Sequence, residues 1–387
     1  MFHMIKNRLL PFLFSFFLFL FPLTAAAEGE TDSLPSPNLS AQAAILYAPD
    51  SSAALYEKSA RERLPMASTT KIMTGLIALE YAEAHDNPVV KITEKMVAVE
   101  GSSMGLKAGY KLSVRDIVTG MMMSSGNDAA NALALFIGKT SDGFARLMNE
   151  RAEQIGMTDT HFVTPSGLDD AEHYTTAYDM ALLGTEALRN DSFSEIVSQA
   201  SATVTFAEPE QKIRYQNHNK LLSLYDGCIG LKTGYTKKSG RCLVSAAERN
   251  GVTLIAVTLN APDDWQDHSL LFDYGFSNIE TAVFDESAFH TQVPVVGGQQ
   301  EKLRASGSIL ECSVPKGSSG LLNKAVHLPR FVYAPVMPGE QIGSIDYYFG
   351  GKKIASVPIR ADEPAACQTE EAWHEKIFGF LKTKKTA

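Results

Sequence analysis

Apolar residues recur along this chain at two spacings, every second residue and every third or fourth, and the switches between them mark out most of its elements. After a polar stretch over 28–40, the run Ala43-Ala44-Ile45-Leu46-Tyr47 meets a turn at Pro49-Asp50-Ser51-Ser52 and resumes over Ala53–Tyr56. That is the pattern of a β-hairpin. From Thr69 to Glu83 the period lengthens, and Ile72, Leu76, Leu79 and Ala82 share one face of a helix. Ser113, with Asp116 three residues on, is an N-cap leading into a helix through Ile117–Met123. Further helices are predicted over Asp128–Ile137, Gly143–Ile155 (stopped by Gly156) and Thr176–Leu188. Past Ala202 the short period takes over, with strands at 203–206, 229–236, 241–248 and 252–259 and a closing helix over Gln266–Tyr274. A hairpin, then helices, then strands describe an α/β (α+β) sheet carrying an inserted helical subdomain.

From Glu280 to Ile359 helical spacing fades. Short runs such as Thr291–Val296, Ala325–Leu328 and Phe331–Tyr333 lie between Gly and Pro turns, which predicts a separate, small β-sandwich domain. The expected layout is a leader over 1–27, a flexible N-terminus over 28–40, a first domain over 41–279, the β domain over 280–361, and a linker with a final helix over 362–387.

Both ends carry targeting signals. Lys6 and Arg8 precede an apolar run from Leu9 to Leu23, and Ala25-Ala26-Ala27 offers a cleavage site, so an export signal is expected. Pro11 and Pro22 interrupt that run, which falls short of the roughly 20 residues a spanning helix needs. At the other end Trp373, Ile377, Phe380 and Leu381 fall on one side of a helix, with Lys376, Lys382, Lys384 and Lys385 at or beyond its polar margin. An apolar face with a lysine-rich end suits a helix lying in an anionic membrane surface. Together these signals place the protein on the extracytoplasmic face of the membrane.

Composition adds mainly exclusions. The 387 residues are 45% hydrophobic and 20% charged, ordinary for globular chains, and the net charge of −9 argues against nucleic acid as a partner. No Gly-rich phosphate loop or dinucleotide fingerprint occurs, and no cofactor is expected. Cys228, Cys242, Cys312 and Cys367 have no metal-ligand spacing. A hairpin around Lys237-Lys238-Ser239-Gly240 would hold Cys228 and Cys242 out of register, so buried free thiols are expected.

Three short motifs carry the chemistry: Ser68-Thr69-Thr70-Lys71, Ser125-Gly126-Asn127 and Lys232-Thr233-Gly234. Each alone is weak, since Ser-x-x-Lys recurs at Ser313–Lys316 and Ser-x-Asn at Ser36–Asn38. Their order and contexts give them weight. A serine hydroxyl becomes nucleophilic when a neighbouring base takes its proton, and Lys71 lies one helical turn from Ser68. Lys71 must then be neutral, which burial and the nearby cation Lys232 would favour. Ser125 can relay a proton to a leaving amine, and Asn127 can hold a substrate amide. Lys232 and Thr233, on an extended strand, can donate to a substrate carboxylate, and Gly234 leaves room for an added peptide strand.

Ser-x-x-Lys with Ser-x-Asn and Lys-Thr-Gly resembles the signature of β-lactamases and penicillin-binding proteins. Leu64–Thr74, Ser124–Ala130, Thr164–Leu168 and Gly230–Thr236 are similar to the low-molecular-weight penicillin-binding proteins, the serine D-alanyl-D-alanine carboxypeptidases of bacillus type. The resemblance implies a β-lactamase/transpeptidase-like domain and a small C-terminal β domain. It implies an acyl-enzyme on Ser68, an oxyanion hole from the Ser68 and Tyr235 backbone N–H groups, peptidoglycan stem peptides as substrate, and β-lactams as covalent inhibitors. One departure stands out. Many relatives carry a carboxylate-binding arginine where this chain has Asp264-Trp265, which leaves the contacts beyond Lys232 and Thr233 open. A class A β-lactamase would need Glu-x-x-x-Asn between Glu153 and Tyr178, where Glu172 is followed by Thr176. A DD-endopeptidase, a transpeptidase and a silent penicillin-binding scaffold share the motifs and remain alternatives.

Overall fold

The structure is a computed structural model that describes residues 35–318 and 322–368. The expected export signal and the expected tail helix over 370–387 lie outside the described residues.

The chain opens with the predicted hairpin, β1 (Ala43–Ala48) and β2 (Ala53–Lys58). A 3₁₀ turn over Ala67–Thr70 then runs into α1 (Lys71–Ala84). The inserted helical part follows: β3 (Val89–Lys91), α2 (Glu94–Val97), β4 (Lys111–Ser113), α3 (Val114–Ser124), α4 (Asn127–Ile137) and α5 (Ser141–Ile155). Next come α6 (Ala177–Leu188), α7 (Asp191–Val197), the ribbon β5 (Ser201–Phe206) and β6 (Gln211–Gln216), and α8 (Leu221–Leu224). Three long strands, β7 (Cys228–Thr236), β8 (Gly240–Arg249) and β9 (Val252–Leu259), and the helix α9 (Asp264–Ser277) complete this part.

Local chemistry fixes several of these boundaries. The Ser113 hydroxyl accepts from the Asp116 N–H at 3.1 Å, and Thr140, Thr176 and Asn190 cap α5, α6 and α7 in the same way. Each such cap satisfies an N–H that has no partner within the helix and stabilises by about 1 kcal/mol. Gly156 ends α5 at φ +89°, a left-handed conformation that glycine adopts without steric cost.

The main sheet has the order β2-β1-β9-β8-β7, and every pair in it is antiparallel. Side chains alternate between its two faces. Ile45, Val244, Ile255 and Val257 pack with α1, α3, α4 and α6, whereas Leu46, Leu243, Leu254 and Ala256 pack with Leu271 and Phe272 of α9. The sheet is therefore the middle of three layers. That explains why β1 is buried at every position and lacks an apolar–polar alternation. It also corrects the one-faced reading of α1: residues Lys71 to Leu79 are all buried, because α1 is enclosed by other helices and the sheet.

The remaining strands are β10 (Ile279–Asp285), β11 (His290–Val296), β12 (Lys302–Ser306), β13 (Ile309–Pro315), β14 (Asn323–His327), β15 (Val332–Tyr333), β16 (Gln341–Phe349) and β17 (Lys352–Ala361). They form a six-stranded sheet, β14-β16-β17-β12-β11-β15, and a two-stranded sheet of β10 with β13. Phe284, Val314, Ile345, Val357 and Ile359 fill the core they share. Ser313 N donates to Asp50 Oδ2 at 2.8 Å, tying β13 to the first hairpin.

The described end of the stretch read as flexible, and the stretch read as a linker, are both hydrogen-bonded to the rest of the protein. Leu39 is buried, Ser40 N and Oγ donate to the Asp267 carboxylate at 2.9 and 2.8 Å, and Lys58 Nζ donates to Leu39 O at 2.7 Å. In the stretch read as a linker, Ala365 N donates to Val336 O at 2.9 Å and Gln368 N to Gly297 O at 2.8 Å. Both keep their backbone groups bonded because each adds to an existing element rather than spanning solvent. Among the described residues no helix is long and apolar enough to cross a membrane.

Candidate active site

The three motifs meet where the edge strand β7 crosses the start of α1. Ala67 and Ser68 belong to the 3₁₀ turn, whose tight winding is pinned from within. Thr69 Oγ1 donates to Met66 O at 2.6 Å and Thr70 Oγ1 to Ala67 O at 2.8 Å. The residue at the N-cap of this turn is Met66, which leaves the Ser68 hydroxyl free of a capping role.

Gly234 of β7 lies against this turn: a Cβ there would come 2.9 Å from Ser68 N and 3.1 Å from Met66 O. From the other side, Gly167 (φ +82°) is so close that a Cβ would fall 1.8 Å from Ala67 O. That loop is held by His173, whose Nδ1 accepts from Val163 N at 2.9 Å and whose Nε2 lies 2.8 Å from Thr70 Oγ1. Burial lowers the His173 pKa to about 4, so the ring is neutral and donates from Nε2.

Lys71 is wholly buried. Its Nζ lies 2.9 Å from Ser68 Oγ, 2.8 Å from Asn127 Oδ1 and 2.7 Å from Ser166 O. Asn127 Nδ2 donates to Glu100 O at 2.7 Å, which turns Oδ1 toward the lysine. Burial above all, then the charge of Lys232, drives the Lys71 pKa well below its ordinary value. A neutral amine has two N–H donors and one lone pair. The carbonyl oxygens of Asn127 and Ser166 take the two donors, which leaves the lone pair facing the Ser68 hydroxyl.

Ser125 sits in a left-handed turn (φ +59°) between α3 and α4, and Asn127 N donates to Ser102 O at 2.7 Å. Beside it the buried Asp128 carboxylate accepts from Ser103 Oγ (2.6 Å) and from the N–H groups of Met104 (2.9 Å), Gly105 (3.1 Å) and Leu106 (2.9 Å). This clamp was not legible in the sequence, although an Asp directly after Asn127 at a helix start was the available signal. Positive φ also occurs at Ala67 (+48°) and Leu231 (+81°). Each of the three motifs thus begins at, or directly after, a non-glycine residue in a sparsely populated backbone region, at about 1–3 kcal/mol each.

Lys232 is buried, and burial brings its pKa to about 7. Its Nζ donates to Thr233 O at 3.0 Å. Ser68, Ser125, Thr233, Gly234 and Tyr235 line one cleft of about 530 Å³. Lys71 and Asn127 lie behind that lining, joined to Ser68 through Lys71 Nζ, and Lys232 sits beside Thr233 on β7. The chance repeats lie elsewhere: Ser313 is buried on β13 and Ser36 lies ahead of β1.

The cleft has three further walls that the motifs did not announce: Asn217 with His218, Lys220, and a trio of Arg241, Asp264 and Trp265. Asp264 and Trp265 open α9, and Arg241 on β8 reaches them, with Nε 2.9 Å and Nη2 2.7 Å from Asp264 Oδ1. Among the described residues no three His, Cys, Asp or Glu side chains are grouped to hold a metal ion. The four thiols are free, as expected, and Cys242 opposes Gly234 while Cys228 opposes Ala247. Burial was overestimated for two of them: Cys228 is half-buried and Cys367 exposed, the latter because it lies on the outermost bonded stretch of the described chain.

A nucleophilic serine against a buried, neutral lysine, beside a β-edge able to pair with an extended peptide, defines a serine peptidase of the α+β transpeptidase-like fold. Comparison with known proteins then gives the family. Residues 30–263 match the peptidase S11 model, D-alanyl-D-alanine carboxypeptidase, and residues 280–365 match that of the penicillin-binding protein 5 C-terminal domain. The chain belongs to the peptidase S11 family of serine-type D-alanyl-D-alanine carboxypeptidases.

Among its relatives, D-alanyl-D-alanine carboxypeptidase DacC of Escherichia coli is 35% identical over 96% of this chain and 94% of its own. DacF of Bacillus subtilis is 28% identical over 92% of this chain and 94% of its own. The structure of penicillin binding protein 5 from Haemophilus influenzae superposes with a TM-score of 0.67 at 29% identity, covering 86% of this chain and all (100%) of that one. That of DacD from Francisella tularensis gives 0.63 at 29% identity, over 86% and 95%.

Proposed function

We propose that this carboxypeptidase removes the terminal D-alanine from peptidoglycan stem peptides, outside the cytoplasmic membrane, through an acyl-enzyme on Ser68. The observation that carries the assignment is the contact between Lys71 Nζ and Ser68 Oγ at 2.9 Å, made by an amine whose two N–H groups are already engaged. Lys71 takes the hydroxyl proton as Ser68 Oγ attacks the penultimate carbonyl. Negative charge developing on the carbonyl oxygen is met by the N–H groups of Ser68 and Tyr235, the latter next in sequence to the Gly234 that lies against the Ser68 turn. Ser125 passes the proton to the leaving D-alanine nitrogen, and water then releases the shortened peptide. Asn127 holds Lys71 and a substrate amide, while Lys232, Thr233 and Gly234 receive the peptide along β7.

Two further parts of the reading concern location. The leader over 1–27 exports the chain, and the helix over 370–387 rests on the membrane surface. β-Lactams acylate the same serine. In Ser68→Ala, D-alanine release and covalent labelling by a fluorescent penicillin are both lost, with thermal unfolding unchanged. A variant that still takes up the label has its nucleophile elsewhere.

A further inference from the structure

A carboxypeptidase substrate differs from an ordinary internal peptide by one group, the free carboxylate one residue beyond the scissile carbonyl. Recognising it takes a cation that keeps its charge within the cleft. Burial and then Lys232 push Lys71 toward its neutral form, and Lys232, at about 7, keeps only part of its charge at neutral pH. Burial, and then Lys232, lowers the pKa of His218 on the cleft wall, so that ring is neutral as well.

Arg241 is different in kind. A guanidinium stays charged at any working pH. Arg241 stands on β8 directly opposite Tyr235, one residue from the Gly234 that touches Ser68 N. Nε and Nη2 both donate to one oxygen, Asp264 Oδ1, and the guanidinium carbon lies 5.6 Å from the centre of the Trp265 ring. Asp264 is buried, whereas the Arg241 side chain is 41% exposed into the cleft. With Nε and Nη2 spent on Asp264, Nη1 is the guanidinium nitrogen left to donate to a ligand. Lys220, the other lining cation, is an exposed side chain with no such fixture.

We infer that Arg241 binds the terminal carboxylate of the substrate, and that Asp264 and Trp265 are its positioning residues. This rests on the carboxypeptidase reading and supplies, from strand β8, the contact that Asp264-Trp265 left open at the start of α9. Holding the guanidinium from behind lowers the side-chain entropy that a long arginine would lose on meeting its ligand.

The test compares diacetyl-Lys-D-Ala-D-Ala with the same peptide ending in a carboxamide, in the full-length enzyme. Arg241→Ala and Arg241→Gln lower kcat/KM for the acid by roughly ten- to a hundredfold, the range for a lost hydrogen bond to a charged group. Both leave turnover of the carboxamide within about twofold, so that the wild-type preference for the acid collapses. Asp264→Leu raises KM for the acid while sparing kcat and the carboxamide, and Arg241→Lys restores part of the preference. Equal losses on acid and carboxamide in the Arg241 variants, or no loss on the acid, overturn the inference and leave the carboxypeptidase reading standing. A wild-type enzyme that releases no D-alanine from the acid overturns both.

Discussion

Three oxygen atoms surround Lys71 Nζ, and the way they share its protons decides what Ser68 can do. Burial pushes the amine toward its neutral form, and Lys232 pushes it further the same way. Because the neutral amine is the reactive one, acylation falls as pH drops through the lowered Lys71 pKa. Lys232 works in the opposite sense. Its charge is present below about 7 and lost above, so the cation that adds to the effect of burial on Lys71 and meets the substrate fades as pH rises. Acylation by penicillin, followed across the neutral range, is therefore expected to be bell-shaped, and a flat profile would refute the pair. Lys71→Arg, permanently protonated, should lose the roughly 10²–10⁴-fold that a positioned base contributes. An active Lys71→Arg enzyme would remove Lys71 from the role of base.

At the scale of elements, the site is a collision of a strand with a turn. β7 approaches the Ser68 turn closely only because residue 234 has no side chain: a Cβ would lie 2.9 Å from Ser68 N. In Gly234→Ala the strand must retreat by a few tenths of an ångström or more, and the oxyanion donors separate. Misplacements approaching 1 Å cost about 10²-fold in rate, so acylation should slow by tenfold to a hundredfold. The melting temperature should move little, because β8 still pairs with β7 along its length. Wild-type acylation in this variant would show that the close approach has no catalytic meaning. Most of the longer elements of the catalytic part were legible from periodicity and caps, whereas α7 and β6 were not read. Those of three or four residues, β3, β4, α2 and α8, were not either, since so few positions complete no period.

For the whole molecule, the C-terminal sheets join the catalytic part through Asp50 and Ser313, and the described chain ends bonded to that sheet at Gln368. Beyond it Trp373, Ile377, Phe380 and Leu381 recur at helical spacing, with Lys376, Lys382, Lys384 and Lys385 at or beyond the polar margin. Deleting residues 370–387 should release the protein from anionic liposomes in a flotation assay while D-alanine release continues unchanged. Equal binding by the truncated protein would show that the tail is no anchor.

The sequence by itself determined the linear order of the three motifs, the caps that start α3 and α6, and the alternation that makes β5 a strand. These are local properties, decided by neighbours within a few residues. Only the tertiary structure decided that α1 is buried all round from Lys71 to Leu79, that Lys71 is pushed toward its neutral form, and that Arg241 reaches the cleft with Asp264 behind it. Lys71 meets Asn127 from 56 residues away and Ser166 from 95, and Arg241 meets Asp264 from 23. Desolvation and charge pairing depend on which distant groups a fold brings within a few ångströms, and no periodicity along the chain encodes that.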